Sequence, residues 1–333
     1  MHVMVAAMNI WPSLVSALVL AAPALANTCG TVDLFQTMSP EQMAQIEAAE
    51  ATTPYPTGLL WQAAREGQTV TVVGTMHIPD PRLDNIVAEV GPALAEADLL
   101  IIEATRDDET RMAALAVEEP EFFFLTEGPS LIDLLGEEDW ALAAERFEAV
   151  GVPPFLGAKF QPWYAGMVIG IPPCATLAMA EGQLGLDRRL EQIAEDEGLS
   201  VVAIEDGMTV LRSLRGDDLE EGLDDLRFTL RSEMTGAEVM STTIEAYFAG
   251  RIAAMWELGR VLSEAEMPGE GAAMFDDFSQ GLLVDRNQLW EADLPELIGA
   301  QDVVIAVGAA HLPGESGVLR SLERMGFEIT PLP

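Results

Sequence analysis

The sequence is poor in the side chains on which most active sites draw. Its 333 residues hold three histidines, two cysteines and one lysine, Lys159. Two cysteines cannot build a structural zinc site on their own, nor a disulfide-rich scaffold. There is no His-Glu-x-x-His, which excludes ordinary zincin chemistry, and no Gly-x-Ser-x-Gly nucleophile elbow. A phosphate loop and a dinucleotide fingerprint are also missing. Ser316, in Gly314-Glu315-Ser316-Gly317, reads as a helix N-cap rather than a nucleophile. Positive charge is scarce: 17 Lys and Arg stand against 55 Asp and Glu, a formal net charge of −38. So acidic a surface repels nucleic acid and anionic lipid. The acids are spread along the chain and read as a solvated surface.

Beyond the first residues no apolar run is long enough to span a bilayer. The first 26 read as a signal peptide, with an apolar stretch Ile10 to Ala22 and a small-x-small site Ala24-Leu25-Ala26. Cleavage after Ala26 would leave a periplasmic or secreted protein beginning at Asn27. A transmembrane anchor is the competing reading, but the run is short and is broken by Pro12 and Pro23. In an oxidising compartment the even pair Cys29 and Cys174 suggests one disulfide, with buried free thiols as the alternative.

The chain past residue 26 reads as one α/β domain. Ser39 and Pro40 mark a helix start. Gly58 to Trp61 and Thr69 to Gly74 flank Arg65-Glu66-Gly67-Gln68 as a β-hairpin. Helical spacing covers Arg82 to Ala95, and after it comes a wholly apolar run closed by an acid, Asp98 to Glu103. That is the pattern of a strand buried on both faces, so the segment is a βαβ unit. The same grammar returns with a strand Gln301 to Val307, a loop, a helix Ser316 to Met325 and a strand Phe327 to Thr330. The middle reads as helical: Glu137 to Val150, Phe160 to Ile169, Leu186 to Glu197, then Met208 to Leu214, Asp217 to Glu233, Gly236 to Phe248, Arg251 to Leu262 and Gly269 to Leu297. One strand, Leu199 to Ile204, interrupts them and is closed by Glu205. The expected fold is a mainly parallel or mixed sheet made from two related strand-Gly-x-x-His-helix-strand units. A helical insertion of about 208–297 covers one side.

His2 falls in the expected leader. The other two histidines both lie in Gly-x-x-His, Gly74-Thr75-Met76-His77 and Gly308-Ala309-Ala310-His311, each just past a buried strand. Ligand sites in open α/β sheets collect outside the carboxyl ends of strands. Glu103 sits at the matching place after its own strand, as metal ligand, general base or brace for an imidazole. Satisfied loop histidines and a solvated strand-end acid are the plainer readings of these residues.

The ordered set Val73-Gly74-Thr75-Met76-His77, Leu99 to Glu103, Gly185-Leu186-Asp187, Arg286-Asn287 with Trp290, and Val307 to Gly314 resembles the TraB/GumN family, relatives of the animal TIKI proteins. The resemblance spans nearly the whole chain after residue 26. It implies a TIKI-like metal-dependent protease or, through a wider superfamily, an esterase-like hydrolase. It makes His77, His311 and Glu103 the set around a divalent metal (Mn, Co or Zn), with Glu103, Arg286 and Asn287 as catalytic residues. Arg286 has its own rationale, since a guanidinium can hold a carboxylate or an oxyanion. Asp187 and Glu205 carry less weight; Asp187 could simply cap its helix. Lys159 with Pro162 and Trp163 also resembles a family stretch, or is an aromatic core anchor. Three functions are open: a metal-assisted hydrolase of a peptide or a small ester or amide, a metal-free hydrolase using a histidine base, and a periplasmic binding protein without turnover.

Overall fold

Apolar runs too short for helices become six strands of a single mixed sheet. They are β1 (Leu60–Arg65), β2 (Gln68–Thr75), β3 (Leu99–Ile102), β4 (Ser200–Ala203), β5 (Val303–Gly308) and β6 (Glu328–Pro331), in the order β4-β3-β5-β2-β1-β6. The computed structural model describes residues 29–216, 218–232 and 236–333, without the side chain of Ala180. The expected leader and its cleavage site lie outside these residues.

The pairs β2·β5, β5·β3 and β3·β4 are parallel, and β1 is antiparallel to both β2 and β6. The hairpin turn is Glu66-Gly67, both at positive φ (52° and 88°). That is the primed turn whose twist matches flanking strands. Successive side chains in the inner strands go to opposite layers. Val73, Leu100, Ile102, Val304 and Ala306 pack into one core; Val70, Val72, Leu99, Ile101, Val303, Ile305 and Val307 pack into the other. Both faces are covered, which explains why these strands read as continuous apolar runs.

The helices are α1 (Pro40–Thr52), α2 (Leu83–Glu96), α3 (Arg106–Glu118), α4 (Leu131–Ala149), α5 (Pro154–Gly157), α6 (Pro162–Gly170), α7 (Pro173–Ala180), α8 (Leu186–Glu197), α9 (Gly207–Arg215), α10 (Leu219–Arg231), α11 (Gly236–Phe248), α12 (Ile252–Glu266), α13 (Gly271–Ser279), α14 (Asp285–Ile298) and α15 (Val318–Arg324). Ser39 caps α1 in a capping box with Gln42. The segment expected to be helical from about 208 to 297 is divided between layers. Its Ile244, Tyr247 and Ile252 join α2 and α8 on one face, while Trp290, Leu294 and Ile298 of α14 join α15 on the other. Leu223, Leu226 and Leu230 of α10 close a third cluster with α4 and α6.

The stretch Gly269 to Leu297 is not one helix. A π-helical turn, Gln280–Val284, separates α13 from α14. Such turns are rare and recur at functional sites. Ser316 is not a cap either: α15 begins at Val318 behind Gly317, with no side-chain cap. Of Lys159, Pro162 and Trp163, only the aromatic residue anchors a core cluster. Lys159 is exposed, Pro162 opens α6, and Trp163 packs on Phe122 and Phe123.

Cys29 and Cys174 are at disulfide distance, Cα to Cα 5.1 Å, so the start of the described chain is tied to α7. Among the described residues no helix is long and apolar enough to cross a membrane.

Candidate functional site

Parallel pairing aligns the two histidine motifs. In the β2·β5 register Thr75 lies opposite Gly308, and β3 flanks β5 on its other side. His77, His311 and Glu103 therefore lie past the carboxyl ends of three adjacent strands, and Glu205 lies past the end of the fourth, β4.

Three glycines allow the close approaches. A Cβ on Gly74 would stand 2.9 Å from Leu312 Cδ1 and 3.1 Å from the Ala309 backbone. One on Gly308 would stand 2.9 Å from Glu103 Oε1. One on Gly185 would stand 2.3 Å from the carbonyl oxygen of His77. At Gly185 the neighbours are backbone atoms, so that position needs a bare backbone, whereas at Gly74 and Gly308 the shortest contacts are to the Leu312 and Glu103 side-chain ends, which would have to give way. The Leu186 N–H donates to Met76 O at 2.9 Å, which fixes the first turn of α8 against the first motif. Tyr247, buried, donates its hydroxyl to Gly74 O at 2.8 Å from the far side.

Arg286, on the first turn of α14, organises the centre. Its Nε donates to Glu205 Oε2 at 3.1 Å, and Nη2 donates to Glu103 Oε2 at 2.8 Å and to Glu205 Oε1. Nη1 donates to Leu282 O at 3.0 Å, inside the π-helical turn, and lies 3.2 Å from His311 Nε2. All five guanidinium hydrogens thus have an acceptor. Trp290, one turn on, donates to Glu205 Oε2 at 3.0 Å, and its ring lies 4.3 Å from that of His311. The second oxygen of Glu103 accepts the Gly308 N–H.

Asn287 fixes the His311 tautomer. Its amide nitrogen donates to the His311 carbonyl at 3.3 Å, so its oxygen is the end that faces His311 Nδ1, at 2.7 Å. The ring therefore carries its proton on Nδ1, and the Nε2 lone pair is turned toward Arg286 and Glu103, whose Oε1 is 3.8 Å away. Both hydrogen bonds of the Asn287 side chain among the described residues go to His311.

The two histidines titrate in opposite directions. His77 Nδ1 is 3.0 Å from Asp187 Oδ1. Asp187 is the largest influence on His77; it outweighs desolvation and raises the pKa to about 9. The His77 side chain is nevertheless 62% exposed, so the imidazolium meets solvent. His311 is 3% exposed, and burial is the main cause that lowers it to about 4, with Arg286 and His77 adding to that and Glu103 opposing it. Burial pushes Glu103 up, but the positive charges of His311, His77 and Arg286 and the Gly308 N–H outweigh it and bring the carboxyl to about 2. The His311 part acts only where that ring is protonated. At neutral pH the carboxylate is held by the other three.

Glu103, Arg286, Asn287 and His311 are thus in mutual contact, while His77 contacts Asp187 and reaches Glu103 and His311 only through its charge; Glu205 and Asp187 join the expected set. Glu205 has the signature of Glu103, an apolar run closed by an acid. Asp187 sits at the second position of α8, where no cap bond is made; the N-cap is Gly185. The expected metal set is a different matter. Among the described residues no group of three or more His, Cys, Asp or Glu side chains is arranged to hold a metal ion. Arg286 lies against the lone pairs of Glu103 and His311 that ligation would need, and His77 is turned to Asp187. His77, His311 and Glu103 do not fit a metal in this arrangement.

The sequence profile of the TraB/PrgY/gumN family matches residues 59–331. No curated protein matches the chain.

Proposed function

The chain belongs to the TraB/PrgY/gumN family, and from that premise we propose that it is an exported hydrolase of peptide or related amide or ester bonds. The observation that carries this reading is the pair of histidines driven apart in pKa, to about 9 and about 4, beside one arginine and two carboxylates. Environments that split like groups in this way assign acid and base roles. In the proposed reaction water adds to the substrate's carbonyl carbon and gives its proton to the His311–Glu103 couple. Once His311 Nε2 takes that proton it no longer accepts from Arg286 Nη1, and the N–H so released would turn to the oxyanion that forms. The bond to the leaving nitrogen or oxygen then breaks, and His77 supplies that atom's proton. Proton return from the couple to His77 through solvent resets the site.

A bell-shaped pH profile of kcat/KM is expected, because the base must be unprotonated and the acid protonated. Activity falls below about pH 4 as His311 gains its proton and above about pH 9 as His77 loses its own. His77→Gln should remove the alkaline limb and leave the acid limb in place. An unchanged alkaline limb in that variant rejects His77 as the acid.

A second reading requires Arg286 to withdraw from His311 and Glu103, which could then hold a divalent cation (Mn, Co or Zn) that would supply a bound water of lowered pKa. It is favoured by the His311 tautomer, since a ring nitrogen anchored by an outer partner is the usual setting of a ligating histidine. Metal content and turnover after exhaustive chelation separate the two readings. The first expects turnover to survive. Loss on chelation with recovery on Mn, Co or Zn, absent in His311→Gln, favours the second.

A further inference from the structure

β4 ends the sheet, and its outer edge has no strand partner among the described residues. Ile204 N–H donates inward to Ile102 O at 2.7 Å. Peptide groups alternate sides along a strand, so the N–H and C=O groups of Val201 and Ala203 point outward. Proteins usually guard such an edge with lysine, proline, a bulge or a covering element. The β4 sequence, Ser200-Val201-Val202-Ala203, carries no such residue.

Along this edge runs an open groove of about 790 Å³, walled by the start of α3 and the last turns of α14. At the carboxyl end of β4 it reaches Glu205, the residue that grips Arg286. Its walls are acidic. Arg111 is committed to Asp108 and Asp206, whereas Asp107, Asp293 and Glu296 make no ion pair among the described residues.

We propose that the edge of β4 docks an extended, basic peptide segment as an added strand, and that this segment belongs to the substrate of the hydrolase proposed above. Backbone bonds to Val201 and Ala203 would hold the peptide, and the unpaired acids would select Lys and Arg at alternate positions. Four residues of β4 span roughly 13 Å, so a peptide of four to six residues fills the edge and presents the next residues of its chain to Glu205, Arg286 and Glu103. A second copy is the poorer occupant, because two chains of charge −38 repel each other along acidic walls.

The test uses a fluorescein-labelled peptide, Lys-Val-Lys-Val-Lys-Val, read by fluorescence anisotropy on the intact protein. A Glu-Val repeat and a copy of the basic peptide methylated on alternate backbone nitrogens serve as controls. The basic peptide should bind, and each control at least about tenfold more weakly. Asp293→Asn with Glu296→Gln should weaken binding several-fold and flatten its salt dependence. Ala203→Pro, which blocks an outward N–H while leaving the bonds to β3, should abolish it. If that variant does not fold, the methylated peptide and the charge-neutral pair still decide. Equal binding of the acidic or the methylated peptide overturns the proposal, and so does a protein that is dimeric through this edge. Cleavage is read on the same repeat extended by six residues at each end; binding of that longer peptide without cleavage would sink the hydrolase and leave the docking edge standing. Hydrolysis of a small ester with no binding of the basic peptide would do the reverse.

Discussion

Replacing Arg286 with methionine is expected to reduce kcat/KM by roughly 10²–10³, the cost of removing one oxyanion donor, and to lower stability by about 3–5 kcal/mol. The second loss arises because Glu103 and Glu205 would both be left charged and unpaired, with side chains only 14% and 13% exposed. Methionine keeps the volume under Trp290, so the effect isolates charge and hydrogen bonding from packing. The pH dependence of stability should invert. In the native protein the Glu103 pKa is depressed to about 2 from an ordinary 4.5. Its contribution is therefore present above pH 4.5 and is lost as pH falls toward 2. In the variant the folded-state pKa of Glu103 rises, so stability improves as acid neutralises it. Adding Glu205→Gln removes one of the stranded charges. Urea denaturation should then show part of the stability regained, while turnover stays lost. A double variant that recovers turnover would mean that Arg286 serves the fold alone and that the proposed oxyanion role is wrong.

The parts of this site that could be read from the chain share a local signature. His77, His311 and Glu103 each close a buried apolar run, and a two-faced strand has one place, its carboxyl end, for such a residue. Glu205 closes Val201 to Ile204 in the same way. Its weight is hidden because β4 is an edge strand, where an acid needs no partner, and because its partner Arg286 is remote in sequence. Asp187 looks like a local helix-start acid; only the contact of Gly185 with the His77 backbone turns it toward the histidine. Tyr247 lies in an unbroken helical pattern with nothing to mark the bond it makes to Gly74 O. The π-helical turn preserves apolar spacing closely enough to pass as one long helix, yet it supplies the Leu282 carbonyl that fixes Nη1 of Arg286. Helix α3 is hard to read for a different reason. It is acid-rich with a weak apolar stripe, although its Thr105–Asp108 capping box is legible. The metal expectation rested on residue types, and these do not say that an arginine will come between the donors.

Gly185→Ala should produce a functional change out of proportion to one methyl group. The new Cβ would meet the oxygen, carbon and Cα of His77 at 2.3, 2.5 and 2.7 Å. These are backbone atoms of a strand end and cannot swing away, so the first turn of α8 must retreat by about 1 Å to reach ordinary contact. Asp187 rides on that turn, and its contact with His77 begins at 3.0 Å. Since Asp187 is the main cause of the raised His77 pKa, the ring should fall from about 9 toward its ordinary 6.5. The acid of the proposed mechanism would then lose its proton inside the working range, and the alkaline limb should move down by about two units. His77 and His311 are the only histidines besides His2, so their ring protons can be followed by NMR titration with little overlap. Gly91→Ala is the control: Gly91 is within α2, and its Cβ would meet nothing within 4 Å. That change should leave the titration untouched and raise stability by about 0.4–1 kcal/mol. If Gly185→Ala folds and His77 still titrates near 9, the Asp187 contact does not set its pKa. The acid role of His77 would then need another origin.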